Sequence, residues 1–228
     1  MREIRKVAVI GSGVMGAGIA AQVANAGTDV LLFDLTREMA AAAIERMLKA
    51  EPKAFMSPAN ARRITPLATA GDLAALANCD WIIEAIVEKP EVKRALYAEV
   101  IKHASADAVL SSNTSTIRLA ELTADRPALR QRFLITHFFN PPRHMRLLEV
   151  VRGEATEQAA SAIADFADRR MGKTVVFCKD RPGFIANRLG SVWMQAAMAF
   201  AFEEGLGVEQ ADAVMGKEFG IPKTGIFG

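Results

Sequence analysis

Only three histidines and two cysteines occur in 228 residues, and neither type clusters. Cys79 and Cys178 lie far apart, with no CxxC or Cys/His spacing nearby. That argues against a zinc site and a disulfide framework, so no metal is expected and both thiols are read as small buried hydrophobes. An excess of one charge is also missing. Twenty-eight basic and 26 acidic side chains give a formal net charge of +2, which points to neither a nucleic-acid nor a membrane partner. No apolar run approaches the roughly 20 residues needed to cross a bilayer; the most apolar late stretch is Val192 to Phe202. Met1 to Lys6 lead straight into a strand-like run, so no signal peptide is read and a reducing, cytoplasmic setting is expected. Low-complexity tracts and internal repeats are absent too.

What is present is alternation. Short apolar runs that read as strands buried on both faces occur at 7–10, 30–33, 81–85, 108–111, 133–137, 147–151 and 174–177, with a brief one at 63–65 before Pro66. Helical patterns fall between them at 14–26, 37–50, 90–104 and 157–171. Strands alternating with helices predict an α/β fold, a Rossmann-type doubly wound and mostly parallel sheet. Beyond Asp180-Arg181-Pro182-Gly183-Phe184 only helix is expected, at 185–204 and 208–217. This divides the chain into a domain at 1–180 and the start of an all-helical domain at 181–228. A helical tail of that size is too small to bury its own core. It is therefore expected to pack on a partner or to continue into a larger domain, and residues 222–228 show no obvious capping element.

Gly11-Ser12-Gly13-Val14-Met15-Gly16 places G-x-G-x-x-G between a strand and a helix. Gly11 permits the tight turn, Gly13 lets a pyrophosphate approach the backbone, and Gly16 lets helix and strand pack closely. The free N–H groups and positive end of the following helix suit phosphate. Asp34 ends the second strand, where a carboxylate accepts ribose hydroxyls and repels a 2′-phosphate, so NAD is favoured over NADP, with Arg37 nearby as the dissenting charge. A Gly-rich turn with an exposed aspartate and no ligand is the bland alternative.

His137 ends an apolar strand, at the edge of an α/β sheet where ligands gather. Glu149 follows inside the apolar strand 147–151, where a carboxylate is costly unless paired. A turn at Pro141-Pro142 would bring the two together. Imidazole could then take the hydroxyl proton while hydride leaves the carbinol carbon, with the carboxylate fixing the tautomer. A core histidine hydrogen-bonded for structural reasons fits the same spacing. Ser111 to Thr116 are six small polar residues after a strand, either a site or a turn capping a helix at Ile117. Asn187, early in an apolar helix, is either functional or a partly exposed helical asparagine. His103 reads as a surface residue.

Together GSGVMGAGIA (11–20), WIIEAIVE (81–88), SSNTST (111–116), HFFNPP (137–142), LLEVV (147–151) and RPGFIANRL (181–189) resemble the L-3-hydroxyacyl-CoA dehydrogenases of fatty-acid β-oxidation. The stretches ITHFFNPPRHMRLLEVV and MGKEFGIPKTGIFG look most like the long bacterial proteins in which a dehydrogenase half is fused to an enoyl-CoA hydratase-like half. The resemblance implies NAD as cofactor, an acyl-CoA thioester as substrate and a homodimer formed through the helical region. It further implies His137 as general base, Glu149 as its orienting partner, and Ser115 and Asn187 as the pair holding the substrate oxygen and thioester end. Asn140 supports the site, Glu88 and Lys93 contact the nicotinamide half, and Asn113 approaches that ring. The segment 36–72 departs from the family's pattern and is shortened against it, so no acyl-CoA contact carries over there, and the chain stops where the family continues. Relatives acting on free hydroxy acids, sugar acids or diketones share these motifs, and a catalytically silent NAD-binding module would share the fold.

Overall fold

The first βαβ unit shows why the chain folds as it does. β1 (Lys6–Ile10) and β2 (Asp29–Asp34) are apolar at successive positions, so both faces of the sheet must be covered. They pair in parallel with Val7 opposite Val30 and Ile10 opposite Phe33. The crossover between them is α1 (Val14–Asn25), closed by Gly27 at φ +78°. In this computed structural model, which describes residues 3–216 and 225–227, eight strands form one sheet. To β1 and β2 are added β3 (Ile64–Ala68), β4 (Trp81–Glu84), β5 (Val109–Ser112), β6 (Phe133–Phe138), β7 (Leu147–Val151) and β8 (Thr174–Cys178). The spatial order is β3-β2-β1-β4-β5-β6-β7-β8, parallel throughout except between β6 and β7. The doubly wound, mostly parallel expectation is met.

Val7, Val9, Val30, Leu32, Trp81 and Ile83 face a core shared with α1, with α2 (Arg37–Leu48) through Ala40 and Ala43, and with α6 (Glu157–Arg169) through Ile163 and Phe166. The other face, with Ile10 and Ile82, meets Leu96, Tyr97 and Val100 of α4 (Pro90–His103). Single turns α3 (Thr69–Asp72) and α5 (Leu119–Leu122) complete the helices of this part. Three local expectations need correction. β3 runs through Pro66 rather than stopping before it, which an edge strand allows because the missing N–H faces away from the ladder. The turn expected at Ile117 is there, since Thr114 Oγ1 accepts from Ile117 N–H at 2.9 Å, but no helix starts at that point. Ser111 and Ser112 are strand residues, and α5 is capped from afar by the Asp180 carboxylate, which accepts from Leu119 N–H and Ala120 N–H at 2.7 and 3.0 Å. Cys79 is buried as expected, but Cys178 is only half-buried.

The chain divides into two compact units, 1–182 and 183–228. In the second, α7 (Ala186–Glu203) and α8 (Val208–Val214) enclose a small cluster of Ala201, Ala211 and Ile226. Lys217, at the expected end of α8, lies outside the described residues. The segment 225–227 has a tether the sequence did not announce: Ile226 and Phe227 donate backbone N–H groups to Asp212 Oδ1. Among the described residues no helix is long and apolar enough to cross a membrane.

Two lysines of the first unit are buried, Lys93 and Lys173. Burial pushes the Lys173 ammonium from 10.5 down to about 8. Between those values the unfolded chain binds more protons than the folded one, so stability rises with pH through that window. Denaturant titrations from pH 7 to 10 are expected to show a gain on the order of 2 kcal/mol that Lys173→Met lacks. Equal gains in both proteins would contradict this.

Candidate active site

The strand order reverses beside β1, whose neighbours are β2 and β4, and the Gly-rich turn sits at that switch point. Gly11 has φ +101°, and a Cβ there would stand 2.6 Å from the Ala85 carbonyl oxygen. A Cβ on Gly16 would lie 1.8 Å from Gly11 O, so helix and turn touch backbone to backbone. Gly13 is different: nothing stands within 4 Å of its missing Cβ. It is the N-cap of α1 and no side chain satisfies the first turn there, which leaves an open amide cradle suited to phosphate.

Asp34, half-buried, stands over this turn. Its Oδ2 accepts from Ser12 N–H at 2.8 Å and from the Ser12 hydroxyl, and Oδ1 accepts from Leu35 N–H at 2.7 Å. Burial alone would raise this carboxyl, but those hydrogen bonds and the Arg46 guanidinium outweigh it and hold it below the usual carboxylate range. Arg46 in turn donates to Ser12 O at 2.7 Å. Arg37, the residue that cast doubt on NAD over NADP, pairs instead with Asp72 at 3.0 Å. Ser12 and Arg46 escaped the sequence reading because their partners are distant in the chain.

A cavity of about 560 Å³ is lined by Gly13, Val14, Met15, Glu88, Lys93, Asn113, Ser115, His137, Phe139 and Asn140, among others. It therefore collects every expected cofactor residue except Gly11, Gly16 and Asp34, which build and flank the turn, together with His137, Ser115 and Asn140. Asn187 belongs to the second unit, near the start of α7 and half-buried. His137 and Glu149 are directly opposed across the antiparallel β6–β7 pair, with Nδ1 2.8 Å from Glu149 Oε2. Both are buried, at 6% and 1% exposure, so the carboxylate has the partner its position demands. Asn113 Oδ1 accepts from Phe138 N–H at 2.9 Å and ties the ends of β5 and β6 together.

Glu88 receives the Thr114 hydroxyl, the Ser115 N–H at 3.2 Å and the Lys93 ammonium at 3.2 Å. Burial would raise its carboxyl, but Thr114 and Lys93 outweigh that and keep it below the usual range. Beneath lies Glu84, which no motif argument singled out, although a carboxylate in the apolar strand 81–85 gave the same signal as Glu149. It accepts from Lys93 Nζ at 2.5 Å, Tyr97 Oη at 2.6 Å, Ser112 Oγ at 2.7 Å and Ile86 N–H at 2.8 Å. The cysteines are not part of a nucleophilic site. Burial pushes Cys79 up to about 11, and burial with the nearby Glu149 charge does the same to Cys178, so both stay protonated at neutral pH. No cluster among the described residues could hold a metal ion.

Known proteins share this architecture. Residues 6–181 match the family described as 3-hydroxyacyl-CoA dehydrogenase, NAD binding domain. A putative fatty acid oxidation complex trifunctional enzyme of Rickettsia felis is 40% identical over 99% of this chain and 33% of its own length. A probable 3-hydroxyacyl-CoA dehydrogenase of Deinococcus radiodurans is also 40% identical, over 99% of this chain and 68% of its own. The crystal structure of FadB2 from M. tuberculosis superposes with a TM-score of 0.84 at 33% identity, covering 97% of this chain and 81% of that one. The chain thus spans a third of the Rickettsia relative and about two thirds of the Deinococcus one. With a cradle for phosphate, a carboxylate at the end of β2 and this family match, the chain belongs to the 3-hydroxyacyl-CoA dehydrogenases and carries their NAD-binding domain.

Proposed function

We propose that this chain supplies the cofactor-binding and proton-transferring part of an enzyme that oxidises L-3-hydroxyacyl-CoA to 3-oxoacyl-CoA in fatty-acid oxidation. The observation that carries the reading is the His137–Glu149 pair, 2.8 Å apart, with His137 lining the same cavity as the Gly-rich turn. With Nδ1 committed to Glu149, Nε2 of His137 takes the proton of the substrate hydroxyl. Glu149 holds the tautomer and stabilises the imidazolium that forms. NAD, when bound, would supply the acceptor for the hydride that leaves the carbon bearing that hydroxyl.

Asp34 takes the adenosine ribose hydroxyls, and the amides at Gly13, Val14 and Met15 take the pyrophosphate. Glu88, Lys93 and Asn113 border the nicotinamide half. In this reading Ser115 and Asn187 take the substrate's oxygen and thioester end, with Asn140 in support, and the residues from 181 onward belong to a dimer-forming domain. Sedimentation of the full-length protein checks the last point; a monomer would rule it out.

Two measurements test the reading. In the full-length protein kcat/KM for 3-hydroxybutyryl-CoA is expected to exceed that for free 3-hydroxybutyrate. Faster turnover of the free acid would remove the thioester assignment. Asp34→Ala is expected to weaken NAD binding about tenfold, as for loss of a charge-assisted hydrogen bond, and to narrow its preference over NADP. Unchanged affinity for both cofactors would dismiss the ribose role.

A further inference from the structure

Lys173 is the buried group that this chemistry leaves unused. It stands immediately before β8 and is 2% exposed. Its Nζ donates to two backbone carbonyls, that of Pro142 and that of Met145, the latter at 2.7 Å. The Phe138 ring lies below, with its centroid 5.7 Å from Nζ. Burial disfavours the charged form of this ammonium, and among the described residues no ion pair joins it to a carboxylate. A buried charge without a counter-charge is costly, and an apolar residue of similar length would relieve the cost. The first unit's other buried lysine, Lys93, has Glu84 against it. The contrast asks what the Lys173 charge is for.

Both carbonyls belong to the segment 139–146, which joins β6 to β7. That segment begins two residues after His137. Its Phe139 ring lies 4.4 Å from the His137 ring, and its Asn140 lines the cavity. From the other side Pro142 rests on α1, where a Cβ at Gly18 would come within 2.9 Å of its ring. Arg143 donates to Lys53 O and Phe55 O at 2.7 and 2.8 Å. The segment is thus held between helix α1, the 53–55 backbone and the start of β8, where Thr174 N–H donates to Arg146 O at 2.8 Å and the Lys173 ammonium reaches further in, to Pro142 O and Met145 O.

We propose that Lys173 is a positioning residue whose ammonium moors the β6–β7 loop, keeping Phe139 and Asn140 on the cavity side and the His137 ring in its orientation. An ammonium suits this task because it carries three donors and no acceptor, so it can bind two carbonyls and an aromatic face together. The acceptors are main-chain atoms, so no side chain of the loop could take over. The proposal rests on His137 as general base, because that reading gives the loop its consequence.

The test is Lys173→Met in the full-length protein, run beside His137→Gln. Saturating kcat is expected to fall about tenfold or more, since small misplacements of catalytic groups cost up to a hundredfold. The Kd for NAD should stay close to that of the unaltered protein, and the melting temperature at pH 7 should not fall. Amide exchange at His144 and Met145, whose N–H groups both bond Pro141 O, should quicken. Lys173→Gln, uncharged and one atom shorter, carries the same expectations if the methionine variant does not fold. Unchanged kcat and exchange, with His137→Gln inactive, would overturn the mooring role and leave the base intact. A parallel loss of kcat, NAD affinity and melting temperature would overturn it as well, marking Lys173 as purely structural. If His137→Gln keeps its turnover, the general-base reading fails instead, and loop exchange alone then decides the mooring.

Discussion

His137→Gln is expected to lower turnover of the full-length protein about a thousandfold, the range a positioned general base supplies, while leaving NAD affinity within twofold. The reason is geometric. Glutamine keeps polarity at the cavity wall but cannot take a proton from the substrate hydroxyl, and the cradle at Gly11, Gly13 and Gly16 lies on different elements. Glu149→Gln is the sharper companion. It preserves volume opposite His137 but removes the charge that stabilises an imidazolium, and a comparable loss is expected. Stopped-flow measurement of NADH formation with fluorescence titration of NAD separates the two properties. Turnover near the unaltered level in either variant would dismiss the pair as a structural hydrogen bond.

The largest stability effect is expected at Glu84. Glu84→Leu strands the Lys93 ammonium, 1% exposed, with the far more exposed Glu88 as its remaining carboxylate among the described residues. It also deprives the Tyr97 and Ser112 hydroxyls of their shared acceptor. Burial and the Glu84 charge hold the Tyr97 phenol protonated far above its ordinary range, so that hydroxyl is a permanent donor. Breaking a buried pair from one side costs about 3–5 kcal/mol, which for a domain of this size lowers the melting temperature on the order of 10 °C. Adding Lys93→Met to Glu84→Leu removes the stranded charge and should restore most of the loss. If the double variant is no more stable than the single one, the two residues are not coupled.

Much of the architecture was legible along the chain. Continuous apolar runs of four to six residues can be satisfied only by strands covered on both faces, and the glycines at 11, 13 and 16 specify turn, approach and packing by the absence of a side chain. Glu149 was legible for another reason: a carboxylate among Leu147, Leu148, Val150 and Val151 demands a partner. Glu84 carried the same signal inside Trp81 to Ala85, but besides the neighbouring Ile86 N–H its partners are Lys93 and Tyr97 of α4 and Ser112 of β5, and no spacing rule reaches those three. The Ser111 to Thr116 run does form a hydroxyl turn, with Thr114 Oγ1 on the Ile117 N–H, but no helix follows at that point. In three dimensions two of them lie within β5, while Thr114 serves Glu88.

What local chemistry settled, then, is a sheet buried on both faces, a phosphate cradle at the first turn, and a histidine at a strand end near a carboxylate that needs company. Those follow from side-chain size, periodicity and the cost of burying charge, which act over a few residues. Only tertiary structure decided that His137 faces Glu149, because register across an antiparallel pair is a property of two strands and the turn between them. Likewise, only folding brings Asp34 onto Ser12, Glu84 onto Lys93, and the Lys173 ammonium onto the carbonyls of Pro142 and Met145. Backbone carbonyls are present at every residue, so nothing in a sequence marks the two that a buried cation will hold.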